Sequence, residues 1–391
     1  MNTLAATCST LPAARRLRVC IVTETYPPEV NGVAMTIGHL VTGLLGHGHS
    51  VQLIRPRQGR HDLPRRDGAL EVVPQPGIAI PFYRELRLGL PVGHALARLW
   101  RQTIPDLVHV VTEGPLGRSA LQAARRLKLP VSSSFHTNFH SYSRHYGVGV
   151  LALSIVAYLR RFHNRTACTL VPTEELAGQL RGLGFNNLRV LSRGVDTRLF
   201  SPSRRHQALR LRWGARPEDP VLLYVGRLAA EKNLELAVAA FKAAQRQCSG
   251  TRCVLVGDGP LAATLRARHP EFIFCGMRQG EELAAHYAAA DIFLFPSLTE
   301  TFGNVLLEAM ASGLAVVAFD YAAAHQHLEH ERNGLRVPCR DANAFVEAVR
   351  GLIGEPARVR ALGREASRAT ERFAWNRIHA QLEEILLDLV K

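Results

Sequence analysis

Short apolar runs alternate with helical stretches along almost the whole chain, and the runs end in turns rich in Gly, Pro or Asn. Leu17-Arg18-Val19-Cys20-Ile21-Val22 is followed by a loop over 23–33, a helix from about Ala34 to Leu45, and a second run, Val51-Gln52-Leu53-Ile54. This strand–helix–strand order opens a doubly wound sheet. Further strands are expected at 70–73, 107–111, 131–135 and 169–172, with helices at 92–103, 117–127, 148–167 and 174–183. A linker is expected around Phe200-Ser201-Pro202-Ser203. The alternation restarts at Val221-Leu222-Leu223-Tyr224-Val225-Gly226 and continues with strands at 252–256, 271–275, 291–295 and 314–319, separated by helices, and a last helix near 375–390. The 391 residues suffice for two domains of ordinary size. The pattern predicts an α/β protein of two Rossmann-like domains facing a cleft. Ligands of such sheets bind beyond the carboxyl ends of the strands, where this chain's motifs fall.

The most informative stretch is Thr299-Glu300-Thr301-Phe302-Gly303-Asn304-Val305-Leu306-Leu307-Glu308. It joins the apolar run Ile292-Phe293-Leu294-Phe295 to a helix, so Gly303 sits where a turn presents free backbone N–H groups. Helix N-termini favour anions such as phosphate. Glu300 lies before the helix and Glu308 about a turn and a half into it, and carboxylates accept hydrogen bonds from sugar hydroxyls. Two hydroxyl-binding groups around one phosphate-binding turn suit a nucleotide sugar. Gly226-Arg227-Leu228-Ala229-Ala230-Glu231-Lys232 is a second strand-end turn, aiming two cations at the cleft. Fixed cations there stabilise a leaving diphosphate as its charge grows. Val256-Gly257-Asp258-Gly259-Pro260 and Cys275-Gly276-Met277 close two further strands. In the first half, His136 follows the strand 131–135; His140 is a second candidate.

These residues resemble the donor-site signature of the retaining GT-B glycosyltransferases of family 4: a Glu, seven residues and a second Glu, with Phe-Gly after the first. The resemblance covers the chain from about Leu17 to Val390 and is most specific between Val221 and Val317. It implies a GT-B fold, with residues 17–196 as the acceptor domain and 197–372 as the nucleotide-sugar domain. Residues 373–391 would form a helix packing back on the first domain, after a disordered leader at 1–16. It also implies roles. Arg227 and Lys232 bind the donor diphosphate, Glu300 the sugar hydroxyls and Glu308 the ribose. His136 contacts and orients the donor sugar. Gly226, Asp258, Gly259, Gly276, Met277, Phe302, Gly303, Asn304 and Val305 lie along the nucleotide sugar. Asn31-Gly32 stands where many relatives carry Gly-Gly, in a donor-site loop that approaches the diphosphate or acceptor by backbone contact; Asn tolerates left-handed backbone geometry best after Gly, so the loop is expected to survive the replacement.

No Asp-x-Asp occurs in the chain. The expectation is therefore no metal and no cofactor, with the helix N-terminus, Arg227 and Lys232 supplying the electrostatics. Seven scattered cysteines without a CxxC pair read as reduced thiols. Arg15 and Arg16 follow, rather than precede, the weakly apolar start, which reads as a leader on a cytoplasmic protein.

The net charge of +15 is lopsided: residues 1–200 carry 24 Lys and Arg against 11 Asp and Glu, and residues 201–391 carry 24 against 22. A basic N-terminal half attracts anionic headgroups; an arginine-rich usage without function is the alternative. No nucleic-acid signature accompanies the charge. The segment 78–91 mixes apolar, aromatic and basic residues, including Phe82, Tyr83, Arg84 and Arg87, as at a membrane interface. It resembles the corresponding loop of bacterial lipid-directed α-mannosyltransferases and sulfoquinovosyl-diacylglycerol synthases. Residues 142–161 fit either a second membrane contact or a core helix with a solvated arginine end. The partners expected are GDP-mannose or a UDP-hexose, a lipid or glycolipid acceptor and an anionic membrane surface, with peripheral attachment at the inner face.

Overall fold

Two parallel sheets, each covered by helices on both faces, make up the molecule. The computed structural model describes residues 15–29, 31–80, 83–136, 150–298 and 303–391. The first sheet contains β1 (Arg18–Val22), β2 (Ser50–Pro56), β3 (Arg65–Asp67) and β4 (Leu70–Gln75). After a separate antiparallel ribbon of β5 (Gly77–Ile80) and β6 (Tyr83–Gly89), it continues with β7 (Leu107–Val110), β8 (Val131–Ser134), β9 (Cys168–Val171) and β10 (Leu188–Val190). The order is β10-β9-β8-β7-β1-β2-β4-β3, parallel except for the short edge strand β3. The sheet's four central strands, β8, β7, β1 and β2, are buried almost throughout, as a sheet covered on both faces requires.

The second sheet is wholly parallel: β11 (Val221–Val225), β12 (Arg252–Val256), β13 (Ile273–Gly276), β14 (Ile292–Phe295), β15 (Ala315–Phe319) and β16 (Leu335–Val337). Their order is β13-β12-β11-β14-β15-β16, so the winding reverses between β11 and β14. Turns at such a switch point open a crevice for ligands. Gly226, after β11, and the segment after β14 flank this crevice.

Several elements differ from the expected ones. Within segment 78–91, residues 78–80 and 83–89 belong to the β5–β6 ribbon, while Phe82 lies outside the described residues. The first helix begins at Gly32, two residues early, because Asn31 caps it: its side-chain oxygen accepts from the N–H groups of Val33 and Ala34. Asn31 has φ −146° and ψ 160°, an extended backbone that any residue adopts, so the position does not call on the left-handed tolerance of Asn. The helices Ala342–Ile353 and Pro356–Thr370 and the strand β16 were not foreseen.

Two chain crossings link the halves, and they lie side by side. Val195, leaving the first half, donates its N–H to the carbonyl of Phe373, which leads back. The returning helix Trp375–Leu389 then packs on the helix Gly32–Gly46 and buries Ile378, Leu382, Ile385 and Leu386 in the first half's core. Gly43 permits this approach, since a Cβ there would sit 2.2 Å from the His379 ring. Glu383 accepts from both His47 and His49 at 2.6 and 3.0 Å. Of the leader, residues 1–14 lie outside the described residues; Arg15 donates to the carbonyl of Val390.

Candidate active site

The cleft wall of the second half is backbone laid on backbone. Gly226 donates to the carbonyl of Val256 (3.0 Å), Leu228 to that of Asp258 (2.9 Å) and Gly257 to that of Gly276 (2.9 Å). The turns after β11, β12 and β13 thereby form one ladder. Glycine is required within it: Gly257 has φ +135°, and a Cβ there would lie 2.0 Å from the Gly226 carbonyl oxygen. Asp258 and Met277 are exposed at the ladder's rim and Gly259 is half-buried. Arg227 is half-exposed and meets Glu231 only loosely, at 3.8 Å. Such an exposed pair is worth little, so Arg227 can turn to a ligand at small cost. Lys232 ends the 3-10 turn Ala230–Lys232, after which Asn233 takes φ 55° and ψ 45°.

Gly303, with φ 93° and ψ 64°, leads into the helix Asn304–Ala311, whose N-terminus has no side-chain cap among the described residues. The Leu306 N–H donates to the Gly303 carbonyl at 3.0 Å, and the first N–H groups of a helix are a general place for an anion. Glu308, on this helix, accepts a hydrogen bond from the Tyr287 hydroxyl at 2.9 Å. Burial pushes its carboxyl up to about 7, and the Tyr287 hydrogen bond only partly offsets that. Val305 turns its carbonyl toward the same hydroxyl, at 3.4 Å. Glu300 and Phe302 lie outside the described residues, as does His140.

The first half contributes from across the cleft. A Cβ on Gly32 would lie 3.9 Å from the Asn304 side chain and 3.6 Å from the Arg193 guanidinium. The two halves therefore meet at the mouths of two helices. Arg193 is buried and donates to the Gly32 carbonyl (3.1 Å), to the Thr36 hydroxyl (3.2 Å) and to Nδ1 of His136 (3.2 Å). Among the described residues, the Nε2 of His136 and the side-chain oxygen of Asn304 are buried with no hydrogen-bond partner. Buried polar atoms are rarely left unpaired; an N–H at Nε2 could donate to a ligand oxygen, and the Asn304 oxygen could accept from a ligand hydroxyl. Burial, then Arg193, His109 and His163, hold His136 well below the usual imidazole range.

The structure thus joins His136, Gly32, Asn304 and the Gly303 turn at one junction, with Glu308 further along the same helix. Arg227 and Lys232 stand on the adjacent turn. Among the described residues no group of His, Cys, Asp and Glu could hold a metal ion. Two residues of this network escaped sequence reading. Tyr287 lies inside an ordinary helical stretch, and only its buried hydroxyl marks it. Arg193 sits in Leu191-Ser192-Arg193-Gly194, where a lone arginine at a domain exit gives no spacing to read.

Comparison with known proteins bears on the family and the fold. A family described as "Glycosyltransferase Family 4" matches residues 30–199, and one described as "Glycosyl transferases group 1" matches residues 219–355. A GDP-mannose-dependent alpha-mannosyltransferase of Corynebacterium glutamicum is 31% identical over 96% of this chain and 90% of that protein. An alpha-monoglucosyldiacylglycerol synthase of Streptococcus pneumoniae is 29% identical over 77% of this chain and 71% of its own. In fold, the chain is similar to the sucrose-phosphate synthase of Thermosynechococcus elongatus, with a TM-score of 0.78 at 21% identity over 96% of this chain and 99% of that one.

Proposed function

Because this chain belongs to glycosyltransferase family 4, with the GT-B fold and the activity of a hexosyltransferase, we propose that it moves a hexose from a nucleotide sugar to a lipid or glycolipid at a membrane surface. GDP-mannose is the first choice of donor, as in the 31% identical relative, and a UDP-hexose the second. We propose further that the anomeric configuration is retained and that no metal takes part.

The observation that carries this reading is the helix mouth at Gly303–Asn304 facing Gly32 and the Arg193–His136 pair. The diphosphate occupies the helix N-terminus, flanked by Arg227 and Lys232. Glu308 takes the ribose hydroxyls, and Glu300 and His136 hold the sugar. As the glycosidic bond breaks, charge gathers on the terminal phosphate, where these groups are already fixed. Substitution from the front face, without an enzyme nucleophile, is the proposed route. The departing phosphate oxygen takes the acceptor's proton.

A lipid acceptor is supported by the synthase relative, whose name specifies diacylglycerol, and by the charge of the N-terminal half. A further feature fits the same reading. Arg118, Arg161 and Arg165 surround a cavity of about 360 Å³ between the helices Pro115–Arg126 and Val150–His163, floored by Leu121 and Phe162. No acidic residue among the described ones lines it, which suits an anionic amphiphile. Among the described residues no helix is long and apolar enough to cross a membrane, so attachment by such a surface is the proposal. A thermal-stability screen against GDP-mannose, UDP-glucose, UDP-galactose and UDP-N-acetylglucosamine tests the donor, because a ligand of the native state raises its melting temperature. GDP-mannose is expected to give the largest rise; no rise with any of the four contradicts the reading.

A further inference from the structure

We infer that Arg193 is a positioning residue that fixes His136 as the neutral imidazole with its proton on Nε2, so that this ring can only donate a hydrogen bond to the bound sugar nucleotide. The inference rests on the proposed donor site and adds to it the protonation state of one member.

The chemistry follows from the donor inventory. A guanidinium has only N–H groups and no acceptor. At 3.2 Å from Arg193, Nδ1 of His136 must therefore offer its lone pair. An imidazole with a lone pair on Nδ1 is neutral and carries its hydrogen on Nε2. That Nε2 is the buried atom without a partner. Arg193 is itself held in place by the Gly32 carbonyl and the Thr36 hydroxyl, both on the helix Gly32–Gly46. The same guanidinium thus braces the glycine that faces Asn304 and sets the tautomer of the histidine.

The surroundings oppose protonation. His109, on β7, is fully engaged by Ser132 and Ser134. His163, on the helix Val150–His163, is bonded to Ser133 and Glu113. Burial acts first, and Arg193, His109 and His163 add to it in keeping His136 uncharged. A ring in this state cannot take the acceptor's proton through Nδ1, which is occupied, and Nε2 has no lone pair to offer. His136 is therefore a hydrogen-bond donor and not a base.

The test is the ring's nitrogen NMR signals in full-length protein carrying isotope-labelled histidine, with His136 assigned by its loss in His136→Gln. The wild type is expected to show the Nε2–H form with no titration between about pH 5 and 8. In Arg193→Met the ring should exchange between tautomers and begin to titrate. The pH profile of kcat should gain an acid limb, with turnover down about tenfold, the scale of one lost hydrogen bond to a charged group. Arg193→Lys should restore the tautomer and flatten the profile. A wild-type ring with its proton on Nδ1, or charged at neutral pH, overturns the inference even if Arg193→Met does not fold. So does a folded Arg193→Met with an unchanged tautomer and pH profile. Normal transfer by His136→Gln would instead remove His136 from the donor site, a separate failure.

Discussion

If Glu308 holds the ribose as proposed, nucleotide binding should be sensitive to pH near neutrality. Its carboxyl sits at about 7 in the folded protein, raised from the ordinary 4.5. Between those values the native state keeps a proton that the unfolded chain releases, so stability falls as pH rises through this window. Glu308→Gln should therefore stabilise the ligand-free protein by roughly 1–3 kcal/mol at pH 8 and much less at pH 5, read from denaturant midpoints. Ribose hydroxyls donate to the ionised form, so nucleotide affinity should tighten from about pH 6 to 8, and Glu308→Gln should abolish that dependence. Calorimetric titrations showing the same slope in both proteins would count against Glu308 as the ribose ligand. On the neighbouring turn, Arg227→Ala and Lys232→Ala should each lower turnover by roughly 2–4 kcal/mol of barrier with little change in melting temperature. Near-normal turnover in either variant would remove that residue from the mechanism. At this scale the sequence revealed what spacing reveals. Glu308, the glycines and the cations stand at fixed distances from strand ends, whereas Arg193 and Tyr287 acquire their roles only through partners 57 and 21 positions away.

The elements carry constraints that single residues do not. The three-turn ladder depends on Gly257, where a Cβ would collide with the Gly226 carbonyl at positive φ. Gly257→Ala should loosen the nucleotide wall and weaken nucleotide binding by about 1–3 kcal/mol, measured by thermal shift with GDP-mannose; unchanged affinity would mean that the ladder does not shape the site. Gly194 has a similar place in the crossings. A Cβ there would lie 2.5 Å from the Trp375 ring, which stacks on His39 with ring centroids 4.4 Å apart. Strand and helix alternation up to 319 was legible because buried parallel strands are short, apolar and bounded by turn residues. Beyond it, the helices Ala342–Ile353 and Pro356–Thr370 went unread, since no ligand-binding turn punctuates them. The β5–β6 ribbon was hidden for another reason: aromatic and basic residues mask its alternation. The capping role of Asn31 was not legible because a cap and a left-handed turn favour the same residue type, and only the backbone angles separate them.

For the whole molecule, the division of charge matches the proposed division of labour. The half that carries a net of +13 is the proposed acceptor half, and the nearly neutral half is the one proposed to hold the diphosphate. The protein should co-sediment with phosphatidylglycerol vesicles at low salt and be released at high salt, each basic contact contributing about 1 kcal/mol. Arg161→Glu with Arg165→Glu, and separately Arg84→Glu with Arg87→Glu, should identify the contacting face. Loss of binding in neither pair would leave the N-terminal half without a membrane role. The account as a whole is tested most directly by incubating the enzyme with labelled GDP-mannose and acceptor-bearing vesicles in excess EDTA, then examining the organic-soluble product by NMR at its anomeric proton. An α-mannosyl lipid formed without metal is the predicted result. A β-linked product, label confined to water-soluble sugar, or activity that EDTA abolishes and Mg²⁺ restores would contradict it.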